Sequence, residues 1–187
     1  KAAAAFEKVI EINSEMGSDW RFVTFYDRYG NALHQLGKHE EEMKLYDTGL
    51  EIFPDNSSIL ARKIICLLSR GESNKGNEYL NQIIARAKKR GVSESVTEST
   101  LGHVYYSAGL YSMAETHLRN AYDLERMNRN HLRSLATLLI DIDINIDEGM
   151  ELVETGLDKY PNNRTFLLLK GIGYYKQGRY SEAVEIM

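Results

Sequence analysis

The sequence predicts an all-α chain, a right-handed superhelical solenoid of antiparallel helix hairpins, on three observations. A segment framed by glycines seven apart occurs three times, as Tyr29–Gly37, Leu101–Gly109 and Lys170–Gly178. A small residue followed four positions later by a large one, and then by another small or apolar one, recurs between these frames, as in Ala114, Leu118 and Ala121. Only two prolines, Pro54 and Pro161, interrupt 187 residues, which suits nearly continuous helix. Self-similarity at a fixed period is the signature of stacked repeats, each covering the apolar face of its neighbour.

The elements follow in order. Ala2, Phe6 and Val9 read as a second helix left over from an earlier unit, over about residues 1–15. Residues 17–22, with Trp20, form an irregular lead-in, so that 1–22 precede the first full unit. The unit 23–56 places Tyr26, Tyr29, Gly30 and Leu33 on one helical face, and Gly37 ends that helix. Glu42, Tyr46 and Gly49 then mark a second helix, and Pro54 stops it. The unit 57–94 repeats the pattern with Gly76, Leu80 and Ile83, but Ile64 replaces the small residue of its first helix. Its four surplus residues fall in the polar run 86–90, so its second helix is expected to be longer by about one turn. The unit 95–128 carries Gly102, Ala114, Leu118 and Ala121. The unit 129–163 carries Gly149, Val153, Gly156 and Pro161, with one extra residue near 140–145, and 164–187 is a truncated fifth. The small positions are expected where two helices touch, with a large side chain filling the space beside each.

This frame resembles the tetratricopeptide repeat, a helix-turn-helix unit of 34 residues with small and large residues at these spacings. The resemblance implies a concave groove lined by the first helix of each hairpin, and it implies protein–protein interaction rather than catalysis. Residues beside the core stripe of those helices are then the candidate contacts: Asp27, Asn31 and His34; Arg62 and Ile65; His103 and Tyr106; Leu168, Ile172 and Tyr175. The family's carboxylate clamp, which grips acidic peptide tails, matches poorly. Asn31 fits one of its positions, but Asp27 stands where a lysine is needed and Arg62 is its one cation. An extended or helical peptide with aliphatic anchors fits better.

Composition removes other classes. The formal charge of −4 offers no basic field for nucleic acid. Apolar runs such as Ile64–Leu68 and Leu135–Ile140 are too short for membrane insertion. A single Cys66 makes no internal disulfide and fits a reducing compartment. The chain starts at Lys1 and stops in mid-helix, so it reads as part of a longer protein whose localisation stays open.

Chemical motifs are few. Asp141, Asp143, Asn145 and Asp147 alternate as at the start of a calcium loop, but Ile146 and Leu152 stand where an EF-hand needs glycine and glutamate. Asn145 or Asp147 capping a helix, with the isoleucines turned inward, is the expectation. The five histidines form no HExxH pair and one cysteine builds no structural zinc site, so neither metal nor other cofactor is expected. Glu40, Glu41 and Glu42 read as a solvated face. Asn56-Ser-Ser58 and Asn163-Arg-Thr165 are glycosylation sequons at turns. No nucleophile, base and orienting group assemble. The function expected is therefore a non-enzymatic scaffold for a peptide or partner protein. The alternative is an accessory or dimerisation domain of an enzyme or membrane-associated assembly, with self-association through the last units, where Val184 lies.

Overall fold

The computed structural model describes residues 23–186. The expectations for residues 1–22 and for Met187 lie outside them. Helices α1 (Val23–Gln35), α2 (His39–Ile52), α3 (Ser57–Ser69) and α4 (Ser73–Lys89) come first. They are followed by α5 (Glu94–Ser107), α6 (Tyr111–Leu124), α7 (Arg129–Asp141), α8 (Ile146–Lys159), α9 (Arg164–Lys176) and α10 (Tyr180–Ile186). No strand occurs among the described residues. The chain forms two compact units, one up to Arg86 and one from Ala87. The division falls inside α4, whose 17 residues exceed the 14 of α2, α6 and α8. That extra length lies in the polar run, and most of residues 85–92 face solvent.

The hairpin turns are built by the repeated glycine. After α1, Gly37 takes φ +68°, where an L side chain is strained, and the Lys38 amide reaches back to the Leu33 carbonyl at 3.0 Å. Gly109 does the same after α5, with the Leu110 amide 2.9 Å from the Tyr105 carbonyl. These are the paired bonds of a Schellman ending, and they satisfy carbonyls the helix leaves open. After α7 there is no glycine, and Asp143 adopts φ 55° instead. The turn is one residue longer there, which accounts for the insertion seen in the sequence. First helices begin on a side-chain cap. Asn56, Ser93, Asn128 and Asn163 each accept from backbone amides one turn into the helix. The two sequon asparagines are therefore caps: Asn56 Oδ1 holds the Ile59 amide at 3.0 Å and Asn163 Oδ1 holds the Thr165 amide at 3.0 Å.

Packing follows the small–large pairs, in two arrangements. A Cβ built on Gly102 would stand 2.6 Å from Leu118 of the second helix, and one on Gly30 would overlap the Tyr46 hydroxyl. In two other hairpins, α3–α4 and α7–α8, the glycine moves to the second helix. A Cβ on Gly76 would meet Leu68 at 2.7 Å, and one on Gly149 would meet Ile140 at 2.6 Å. Ile64, at the position of Gly30 and Gly102, is itself fully buried. Gly156 opposes Phe166 in the same manner, at 2.5 Å, where α8 meets α9. In the first unit Tyr26, Tyr29, Leu33, Leu45, Tyr46, Ile59 and Cys66 form one cluster.

His131, near the start of α7, is 3% exposed, and neither ring nitrogen has a hydrogen-bond partner. Desolvation lowers its pKa, against the weaker pull of Glu125, whose carboxylate is 3.9 Å away. The folded state therefore holds this ring neutral. Below the unfolded value of about 6.5 the unfolded chain binds more protons, so the stability this site contributes is present above that pH and is lost as pH falls through it. The melting temperature should fall between pH 7.5 and 5.5, and His131→Phe should flatten that fall. An equal slope in the two proteins would refute the account.

Candidate functional site

The first unit brings its stripe residues together as pairs. Arg62 of α3 and Asp27 of α1, 35 positions apart, are joined by an Nε–Oδ1 bond of 2.6 Å. The cation that would grip a carboxylate tail is already neutralised, which disfavours the clamp on geometry as well as on sequence. Asn31 is exposed beside them. Ile65 differs from expectation. It is 8% exposed, in a run from Ile64 to Leu68 that is buried throughout, so α3 has no apolar stripe open to a ligand.

His34 turns toward Glu42, not outward. Its Nδ1 is 3.1 Å and 3.0 Å from the two carboxylate oxygens, and His39 Nδ1 is 3.0 Å from Oε2 of the same group. Glu42 is 1% exposed, which corrects its reading as part of a solvated face, whereas Glu40 and Glu41 are exposed. Its register explains this: Glu42 occupies the place that Ala114 takes in α6, the close-packed position of a second helix. A buried carboxylate requires donors, and the two imidazoles supply them. Burial, then the Glu42 charge, raises the pKa of Cys66 to about 12, so its thiol stays protonated and unreactive at neutral pH. The signal in the sequence was the i, i+3 spacing of His39 and Glu42 with His34 one turn before the glycine. A search restricted to HExxH passes over it.

The second unit has a hollow of about 260 Å³ lined by His103, Tyr106, Arg133, Ser134, Thr137, Leu138 and Thr165. Two residues singled out in the sequence, His103 and Tyr106, share it. His103 Nε2 is 3.0 Å from the Ser134 hydroxyl, and the Tyr106 hydroxyl donates to Asp141 at 2.9 Å. His103 is partly open to solvent, yet the protein packed around it lowers its pKa, with the charge of Arg133 adding to that effect. The hollow's donors are accordingly uncharged at His103 and cationic at Arg133. Thr165 begins a stripe on α9 that continues through Leu168, Ile172 and Tyr175 at helical spacing. Leu168 is 53% exposed and Tyr175 62%, while Ile172 is half-buried.

The segment 141–147 is a helix turn. Asn145 caps α8 by accepting from the Glu148 amide at 3.2 Å. Lys176 places its ammonium 2.7 Å from the Asp141 carbonyl and 2.8 Å from Asp143, so a lysine supplies the positive charge in this acidic turn. The isoleucines divide: Ile142 and Ile146 are half-buried but Ile144 is 41% exposed, a correction to their uniform inward packing. No helix among the described residues is long and apolar enough to cross a membrane.

The family model of the tetratricopeptide repeat matches residues 23–56. No curated protein matches the chain. Solved structures similar to it include a tetratricopeptide repeat protein from Parabacteroides merdae, at TM-score 0.53 and 16% identity, covering 99% of this chain and 69% of that one. YrrB, described as a TPR protein with an unusual peptide-binding site, aligns at TM-score 0.50 and 18% identity over 98% of this chain and 89% of its own. MamA AMB-1 aligns at 0.50 and 20%, over 86% and 92%. Residues 23–56 thus match the tetratricopeptide repeat, and the all-helical hairpin fold of the chain is similar to that of solved tetratricopeptide-repeat proteins.

Proposed function

We propose that this protein is a non-enzymatic interaction scaffold, and that its second unit binds an extended or helical peptide carrying Leu, Ile or Phe. The observation that carries the reading is the continuity of the hollow at His103, Tyr106 and Thr165 with the exposed Leu168 and Tyr175 of α9. Apolar side chains of this size at helical spacing form an anchor row, and the hollow beside it offers Arg133 and two hydroxyls for polar contacts of a peptide backbone. The first unit, with Asp27 and Arg62 paired and Asn31 exposed, offers a polar surface without such anchors. A second reading, self-association through α9 and α10, is favoured by Val184, which is 77% exposed on α10.

A peptide-library screen against the intact chain tests the first reading. Binders rich in aliphatic residues should lose at least about tenfold in affinity with Leu168→Asp, equivalent to about 1.4 kcal/mol, whereas Leu124→Asp, on a second helix, should leave them unchanged. A screen whose binders ignore Leu168 and Ile172 would overturn it. Sedimentation over a wide concentration range separates the second reading, because self-association would appear without peptide and disappear with Val184→Asp.

A further inference from the structure

We propose that His34, His39 and Glu42 form a binding site for a single divalent transition-metal ion, zinc above others. One ligand atom from each residue lies within 4.8 Å of the other two. The separations suit one ion: ligands held tetrahedrally at about 2.0–2.1 Å from zinc are roughly 3.3 Å apart. Here His34 Nδ1 and His39 Nδ1 each stand 3.0 Å from Glu42 Oε2, so on these two edges an opening of a few tenths of an ångström reaches the metal-bound spacing. The ion would take the place of the two Nδ1 protons, each neutral ring carrying its proton on Nε2 instead, and the charge of Glu42 would offset half of its own.

The donor set selects the metal class. Two imidazoles and one carboxylate suit zinc, copper or nickel, whereas calcium and magnesium require oxygen donors in larger number. Access is built in as well. Glu42 is 1% exposed, but the His34 and His39 side chains are 25% and 33% exposed, so an ion enters from the solvent side and keeps a water there. Placement favours a structural effect: His34 closes α1, and His39 and Glu42 open α2 across the Gly37 turn, so one ion would clamp the hairpin. Two clusters elsewhere lack this convergence. Among the described residues, His117 and Glu98 form a pair without a third ligand, and His131 has a single carboxylate at 3.9 Å.

The test titrates the intact chain with Zn²⁺ against a chromophoric chelator, and with Co²⁺ for its visible ligand-field bands. One equivalent should bind saturably, with a rise in melting temperature that a chelator reverses. Co²⁺ should show the intense absorption of tetrahedral coordination. His34→Gln and His39→Gln, both at partly exposed positions, should each weaken binding by more than tenfold, while His117→Gln should not. If one variant fails to fold by circular dichroism, the other and Glu42→Gln decide. Absence of saturable binding, or one-equivalent binding that survives the variants of His34 and His39, would overturn the site.

Discussion

Phe166→Ala is expected to destabilise the second unit by about 3–5 kcal/mol, the cost of removing a fully buried aromatic side chain. The ring is 0% exposed and lies against Gly156, where even a methyl group would meet it at 2.5 Å. α8 has given up its side chain at that position, so nothing from that side can relax into the space left by the ring. The loss combines the transfer of the phenyl group with an unfilled cavity. Because repeat units couple mainly to their neighbours, hydrogen exchange should rise first in α8, α9 and α10. Urea denaturation of the variant measures the total. Val184→Ala, at a 77% exposed position, serves as the control and should stay within about 0.5 kcal/mol. A loss below about 1 kcal/mol for Phe166→Ala would mean that α8 and α9 do not pack as described.

Gly102→Leu should cost about 1–3 kcal/mol by overpacking. Its Cβ would stand 2.6 Å from Leu118 Cδ2 and 3.3 Å from the Ala114 carbonyl oxygen. Leu118 can change rotamer, but the carbonyl belongs to the α6 backbone and yields only if the helices separate. The cost should therefore be shared: truncation by Leu118→Ala in the same chain should recover part of it, a coupling of about 0.5–3 kcal/mol between touching residues. An unchanged melting temperature for Gly102→Leu would refute the close approach of α5 and α6. Purely additive losses would show that Leu118 is not the side chain displaced.

Some features were legible because their cause is local and repeats. A glycine seven residues after another small residue marks the left-handed turn that ends the first helix, as at Gly37, Gly109 and Gly178. The surplus at 86–90 was equally legible, since a polar run inserted before the next repeat extends a helix into water. Glu42 was not legible. Three consecutive glutamates look alike in a sequence, and which one enters the interior depends on the register of α2 against α1. Alignment of Glu42 with Ala114 carried that information, but a carboxylate at a close-packed position reads as an exception until His34 and His39 are seen to satisfy it.

Ile65 shows the complementary failure. Helical spacing placed it beside the core stripe, but spacing says nothing of what lies above that stripe. Ile172, at the equivalent place on α9, is half-buried while Ile65 is covered. The sequence by itself determined the hairpins, their turns and the positions where small residues admit large ones, because backbone conformation and steric fit act within one unit. Only the tertiary structure decided which side chains face solvent, that Arg62 is spent on Asp27, and that His34, His39 and Glu42 converge. Those outcomes depend on contacts between helices brought together by folding, and no periodicity within one helix encodes them.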